Sequence, residues 1–260
     1  MIKKAPLVSI VMPTYNVSDF IEEAIISVLS QSYDNIELIL VDDCSSDDTI
    51  EKISSFDDKR IILLQNEINL GPGVTRTRGL RAAKGDFIAL LDADDRWYPD
   101  KLSAQVKFMQ STGAAVTYTR YDLIDEFGKT YMNSGALPEV ATYHKLLRHC
   151  FIRTSSVVFD VKKTGRDVAF ADIKKRQDFV FFLSLLKRVG EARLVDEMSC
   201  SYRIHAGSVS SSKLRNIRFQ WAAYREHEKL NLTYCIYLMS HWFLRSGVLV
   251  LIRKTRGLAH

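Results

Sequence analysis

No two of the four cysteines (Cys44, Cys150, Cys200, Cys235) form a C-x-x-C pair, and long stretches separate them. That spacing argues against zinc and disulfides and fits reduced thiols in a cytosolic protein. Repeats and low-complexity stretches are missing too, so the chain reads as globular throughout. The opening Met1-Ile2-Lys3-Lys4-Ala5-Pro6 runs directly into a strand and lacks the apolar core of a signal peptide. Gly71-Pro72-Gly73 is not a dinucleotide fingerprint, because the next glycine is Gly79 and the G-x-G-x-x-G spacing fails. A Walker lysine motif is also absent. No signature of DNA or RNA recognition accompanies the charge, so nucleic acid is not an expected partner.

What is present describes an α/β protein. With 260 residues, 47% of them hydrophobic and 26% charged, the chain can bury a substantial core. Its net charge of +5 is unevenly spread: residues 213–260 hold nine Lys/Arg against two Glu, leaving residues 1–212 slightly acidic. A near-neutral body with a basic, apolar tail points to a membrane surface.

Strand and helix alternate through the first half. Leu7–Pro13 reads as a strand, followed by a helix that Ser18 or Asp19 caps, with Ile21, Ala24, Ile25, Val28 and Leu29 at helical spacing. Ile36–Val41 is a second strand closed by Asp42-Asp43, and Ser45, Ser46 and Asp47 offer caps for the next helix. Arg60–Leu64 is a third strand. Asn69-Leu70-Gly71-Pro72-Gly73 is a turn into a helix through Leu80, and Phe87–Leu91 is the fourth strand. Such repeats imply a largely parallel sheet with helices on both faces and a ligand site at the strands' carboxyl ends. Further on, Lys101–Gln110 reads as a helix, Ala115–Arg120 as a strand, Asp122–Met132 as a hairpin turning at Gly128, Thr154–Phe159 as a strand and Phe179–Val189 as a helix. Met132–Tyr143 has no readable pattern.

At the end of the fourth strand stands Asp92-Ala93-Asp94, followed by Asp95-Arg96-Trp97. Two carboxylates one residue apart at a sheet's carboxyl edge suit a hard divalent cation gripping a phosphate-bearing ligand. A capped turn is the plainer reading of D-x-D alone.

The ordered set of motifs resembles the inverting family-2 glycosyltransferases of GT-A fold, in particular bacterial enzymes that build O-antigens, capsules and teichuronic acids. The segments are Val8-Ser9-Ile10-Val11-Met12-Pro13-Thr14-Tyr15-Asn16, Val41-Asp42-Asp43-Cys44-Ser45-Ser46-Asp47-Asp48-Thr49, Asn69-Leu70-Gly71 with Arg76 and Gly79, and Leu91-Asp92-Ala93-Asp94-Asp95. Gln177-Asp178 and Tyr202-Arg203-Ile204-His205-Ala206-Gly207-Ser208-Val209-Ser210 follow.

The resemblance implies a Rossmann-like α/β catalytic domain over residues 1–212 and a helical extension over 213–260. Pro13, Thr14 and Tyr15 would line a base pocket, Tyr15 either stacking on uracil or packing under the first helix. Asp43 would accept the uracil imide hydrogen, with Asp42 a turn former, and Arg76 would stabilise the base site or diphosphate. Asp94 would hold Mn2+ or Mg2+, Asp92 would contact ribose or reach the metal through water, and His205 would complete the metal shell or contact the diphosphate, a structural role being the plainer reading of a lone His. Asp178 would be the general base that an inverting transfer requires; the plainer reading is an Asp favoured at a helix N-terminus. Gln177 replaces the family's usual Glu and removes one negative charge beside Asp178. Arg176 either supplies a countercharge or faces solvent. Trp97 would wall the sugar or pack in the core.

The expected partners are a UDP-sugar donor, a saccharide or lipid-linked oligosaccharide acceptor, and the inner face of the cell membrane. Tyr234–Ile252 spans 19 mostly apolar residues, but His241, Arg245, Ser240 and Ser246 give it a polar stripe. That favours an interfacial helix, with Arg253, Lys254 and Arg256 near headgroups, over a spanning one; docking on the domain is the alternative. Two other functions remain open: a non-catalytic nucleotide-sugar-binding assembly protein, and a sugar nucleotidyltransferase, which Pro13-Thr14-Tyr15-Asn16 disfavours.

Overall fold

The computed structural model describes residues 5–205 and 213–255, with backbone alone for 213–216 and 244–255. Ala206–Ser210 of the last motif and Arg256 of the tail lie outside the described residues, and the side chains of Arg245, Arg253 and Lys254 lie outside the description.

The first half follows the expected rhythm: β1 (Val8–Thr14), α1 (Ile21–Leu29), β2 (Ile36–Asp42), α2 (Thr49–Ser54), β3 (Ile61–Gln65), α3 (Pro72–Ala82) and β4 (Phe87–Leu90). These four strands pair in parallel in the order β3-β2-β1-β4. Alternation along each strand divides the core. Ile10 and Met12 of β1 face one layer with α1 and α2, while Val11 faces the other with α3. Each fully buried aliphatic side chain of this kind contributes about 1.5–3 kcal/mol. Gly79 permits the α3 contact: a Cβ there would meet Val11 Cγ1 at 2.5 Å. Neither Ser18 nor Asp19 caps α1 by a side-chain bond. The backbone N–H of Ser18 instead donates to Asp47 Oδ2, tying the loop after β1 to that after β2.

Then come β5 (Arg96–Trp97), α4 (Lys101–Thr112), β6 (Val116–Ile124), β7 (Thr130–Asn133), β8 (Val140–Thr142) and α5 (Tyr143–Arg148). Gly128, at φ +81°, turns the expected β6–β7 hairpin. The expected strand over Thr154–Phe159 is shorter than read. Thr154–Ser156 form a 3-10 turn, because Ser156 bonds the Arg153 carbonyl through both N–H and hydroxyl, and only β9 (Val158–Asp160) is strand. β9 runs antiparallel between β4 and β6, extending the sheet. The order closes with α6 (Val161–Thr164), α7 (Gln177–Val189), β10 (Glu191–Arg203), α8 (Lys213–Ala222), a π-helical segment (Ala223–His227) and α9 (Leu232–Thr255).

β10 pairs in parallel with β6 through two register shifts and was not foreseen. Glu191, Arg193, Asp196 and Glu197 hide its alternation. The appendage packs on the body. Ala223, Tyr224, Cys235, Leu238 and Met239 join the same buried cluster as Phe179 and Phe182 of α7. Among the described residues no helix is long and apolar enough to cross a membrane.

Candidate functional site at the carboxyl edge of the sheet

The loops after β1, β2 and β4 meet at one edge. Asp42 is a buried brace, accepting from the Thr14 hydroxyl (3.0 Å) and from both the N–H and hydroxyl of Ser45. Thr14 is therefore buried and committed, not part of a pocket wall. Tyr15 next to it is 49% exposed, the orientation a stacking surface needs, and Pro13 is half-buried.

Asp43 is engaged in a way the sequence did not foretell. One oxygen accepts from Asn66 Nδ2 (2.7 Å) and Leu70 N–H (2.8 Å), and the other from Gly71 N–H (2.8 Å). It holds the loop that starts α3. Of about four acceptor positions on a carboxylate, one stays open.

α3 then delivers Arg76 to the centre. Its Nη2 donates to Asp92 Oδ1 at 2.5 Å, and its face lies over the Phe170 ring. Burial works against the guanidinium's charge, but Asp92, and beyond it Asp178 and Asp94, outweigh that and hold it charged. Arg76 Nε and Nη1 are buried and unpaired among the described residues. Burial raises Asp92 above the ordinary carboxylate range; Arg76 opposes this, and Asp94 and Asp178 add to it. Asp92 thus pairs directly with this cation, and Asp94 and Asp178 lie within electrostatic reach of it.

Asp94 faces His205. Its Oδ2 lies 3.1 Å from Nε2, and this bond raises the imidazole above its usual range against the cost of burial. Phe20 stacks obliquely on the His205 ring, 4.9 Å between centroids. Asp95 is buried and accepts from the Ser155 hydroxyl and the Arg203 backbone N–H. Burial, with Asp94 and Asp92 adding, pushes it well above the carboxylate range. It shapes the turn and does not reach into the cleft.

Three residues in this frame escaped the sequence reading. Ser155 donates to Asp95, and its oxygen accepts from the Asp92 N–H. Arg203, 2% exposed, donates to the carbonyls of Asp94, Asp125 and Glu126 and pairs with the Glu23 carboxylate. Glu23 also holds Arg96 at 2.5 Å. Arg203 lay within a quoted motif. Ser155 and Glu23 carry no pattern that separates them from any polar residue.

Trp97 is core. It is 3% exposed, its indole N–H donates to the Ser155 carbonyl (2.7 Å), and the Lys101 amine sits 4.2 Å from its ring centroid. Pairing of β5 with β10, Trp97 opposite Cys200, turns the ring inward, so it forms no wall for a sugar.

Asp178 lies in the first turn of α7, where the macrodipole favours a carboxylate. Arg176 caps the helix in a left-handed conformation (φ +68°). Gln177 is buried with its side-chain carbonyl unpaired among the described residues. Gly73 of α3 meets this corner: a Cβ there would lie 2.4 Å from the Ala171 carbonyl and 3.6 Å from Gln177 Cβ. The tail reaches it as well, through Phe219, 6.0 Å from Lys175 Nζ, and Tyr224, edge-on to Phe179.

A central, mostly parallel sheet flanked by helices, with a D-x-D turn on its carboxyl edge, is the fold of a GT-A glycosyltransferase. The chain belongs to glycosyl transferase family 2, whose model matches residues 9–189. It is 38% identical to the UDP-Glc:alpha-D-GlcNAc-diphosphoundecaprenol beta-1,3-glucosyltransferase WfaP of Escherichia coli over 81% of this chain and 82% of that one. Its fold is similar to S. aureus TarS 1-349 in complex with UDP-GlcNAc (TM-score 0.68, 19% identity, 91% of this chain and 71% of that one). It is similar as well to the mannosyltransferase PcManGT from Pyrobaculum calidifontis in complex with GDP-Man and Mn2+ (TM-score 0.67, 16% identity, 88% and 66%).

Proposed function

We propose that this glycosyltransferase moves a hexose or N-acetylhexosamine from a UDP-sugar, with inversion, to a hydroxyl of a lipid-linked or growing bacterial surface saccharide. The observation that carries the proposal is the Arg76–Asp92 ion pair at 2.5 Å beside the Asp94–His205 contact at 3.1 Å, with Asp178 within electrostatic reach of Arg76. WfaP, by its description, uses UDP-glucose and a diphosphoundecaprenol-linked acceptor, which supports the same donor and acceptor classes here.

The uracil ring would lie on Tyr15, its imide hydrogen meeting the one open acceptor position of Asp43. Arg76 and Asp92 face the diphosphate and ribose. The residues fit a hard divalent ion: Asp94 and His205 offer one carboxylate and one imidazole side by side. No set of three His, Cys, Asp or Glu side chains among the described residues closes around a cation, so Mn2+ or Mg2+ would take its other ligands from phosphate and water. The ion, when bound, supplies Lewis-acid stabilisation of the departing diphosphate.

Asp178 takes the proton from the acceptor hydroxyl as that oxygen bonds to the anomeric carbon. The bond to the β-phosphate oxygen breaks and its electron pair leaves with UDP. The charged Arg76 guanidinium, already held in place, stabilises the negative charge that develops there.

The exposed face of α9 (Leu232, Ile236, Tyr237 and Phe243) would rest on the inner face of the cell membrane beside the basic tail residues. A screen of labelled UDP-sugars with Mn2+ for release of UDP tests the reading. One donor is expected to give release that EDTA abolishes and that Asp94→Ala lowers on the order of 100-fold or more. Release that is indifferent to both treatments would sink the metal assignment, and no release from any UDP-sugar would sink the donor assignment.

A further inference from the structure

Two guanidinium groups support the D-x-D turn, and one carboxylate of α1 joins them. Arg96 follows Asp95 directly and opens β5, while Arg203 ends β10. Glu23 Oε1 accepts from Arg96 Nη1 at 2.5 Å, and its Oε2 accepts from Arg203 Nη2. Among the described residues Glu23 is the one carboxylate that either guanidinium meets. Arg203 is almost wholly cut off from water, so its charge depends on that carboxylate for compensation.

The rest of the Arg203 fork holds the backbone around Asp94. Nε donates to the Asp94 carbonyl at 2.8 Å, and the Arg203 backbone N–H donates to Asp95 Oδ1 at 2.8 Å. Nη1 donates to the carbonyls of Asp125 (3.1 Å) and Glu126 (3.0 Å) in the β6–β7 turn, which Arg96 Nη2 closes through the Gly128 carbonyl (3.1 Å). His205 follows Arg203 two residues on, its Nε2 against Asp94 Oδ2. Phe20 packs on both: its ring centroid lies 4.9 Å from the Arg203 guanidinium carbon and 4.9 Å from the His205 ring. Phe20 and Glu23, three residues apart at the start of α1, thus present one face of the helix to the end of β10. Asp43, by contrast, is held by Asn66, Leu70 and Gly71, a separate set of bonds.

We propose that Glu23 is a positioning residue for the metal-binding pair. Through Arg203 it fixes the turn that carries Asp94 and the strand end that carries His205, and its charge offsets a guanidinium that would otherwise repel the ion. The inference rests on the metal reading proposed above and adds to it a residue that touches neither donor nor ion. Gln at this position keeps the size of the side chain, but it leaves both arginines without an anion. The surplus positive charge then sits on the carbonyl of Asp94 itself. Asp keeps the charge on a shorter side chain, which bridges the two guanidinium groups less well. Residues that hold metal ligands in place change metal affinity about 10- to 100-fold when replaced.

The test measures binding and needs no turnover. Mn2+ is titrated into full-length protein at a fixed excess of UDP, with free Mn2+ read by electron paramagnetic resonance against a protein-free blank. UDP affinity is measured separately in EDTA. Glu23→Gln should hold Mn2+ about tenfold or more weakly than the parent, with Glu23→Asp in between. Its UDP affinity in EDTA should stay near the parent's, because the base end of the site hangs on other bonds. Equal Mn2+ affinity in the parent and Glu23→Gln overturns the proposal. So does a loss of UDP affinity in EDTA as large as the loss for Mn2+, since that pattern marks general support of the fold. Failure of the metal reading looks different: the parent itself would retain no Mn2+ above the blank, and the proposal would fall with it.

Discussion

Lys101 holds an amine at 1% exposure, donating to Gln105 Oε1 at 2.6 Å and lying over Trp97. Burial lowers its pKa to about 7, with the Cys200 position the only opposing influence. Between pH 7 and the ordinary lysine range the unfolded chain binds a proton that the folded chain lacks, so this residue makes stability rise with pH. The penalty is complete below pH 7 and amounts to on the order of 3–5 kcal/mol. Lys101→Met should therefore melt higher than the parent near pH 6, by a margin that shrinks towards pH 10. A constant difference in Tm across that range would contradict the assigned burial cost. The sequence offered no hint of this, since Lys101 stands where a surface helix residue would. Asp94, His205 and Asp178 stood out in the sequence because each lies in a short motif, and the structure brings Asp94 and His205 together. Ser155 and Glu23 did not, because their partners lie 60 or more residues away in the chain.

Among the elements, the parallel half was plain from its buried runs and turn residues. β8 and β10 were hidden, because one is only three residues long and the other interrupts its apolar alternation with charges and bulges. The same physics makes α3 a precise device: its first turn rests against the segment before α7, and its middle approaches β1. Gly73→Ala would drive a methyl group to 2.4 Å from the Ala171 carbonyl, which backbone cannot yield cheaply. The expected cost is about 1–3 kcal/mol of stability. Turnover should fall more than UDP affinity, since the methyl displaces the Ala171 segment that leads into α7 and the proposed base. Denaturant unfolding alongside transfer kinetics checks both. Unchanged kinetics in a folded Gly73→Ala protein would mean that the α3–α7 contact does not position the base.

The molecule as a whole joins the carboxyl edge of the sheet to a helical appendage whose inner face is core and whose outer face carries Leu232, Ile236, Tyr237 and Phe243. Ile236 and Phe243 lie on that outer face, 56% and 49% exposed. Replacing both by Glu should weaken co-sedimentation with phosphatidylglycerol vesicles at least several-fold and leave UDP binding intact. Undiminished sedimentation would place the lipid contact elsewhere.

At the centre of the proposed reaction is a division of labour between Asp94 and Asp178. Single-turnover transfer and UDP–Mn2+ affinity, measured together on Asp178→Asn, test it most directly. Loss of a general base predicts transfer slowed about 100- to 10,000-fold with affinity near that of the parent. Transfer at the parent's rate, or affinity lost together with rate, would show that Asp178 is not the group that takes the proton.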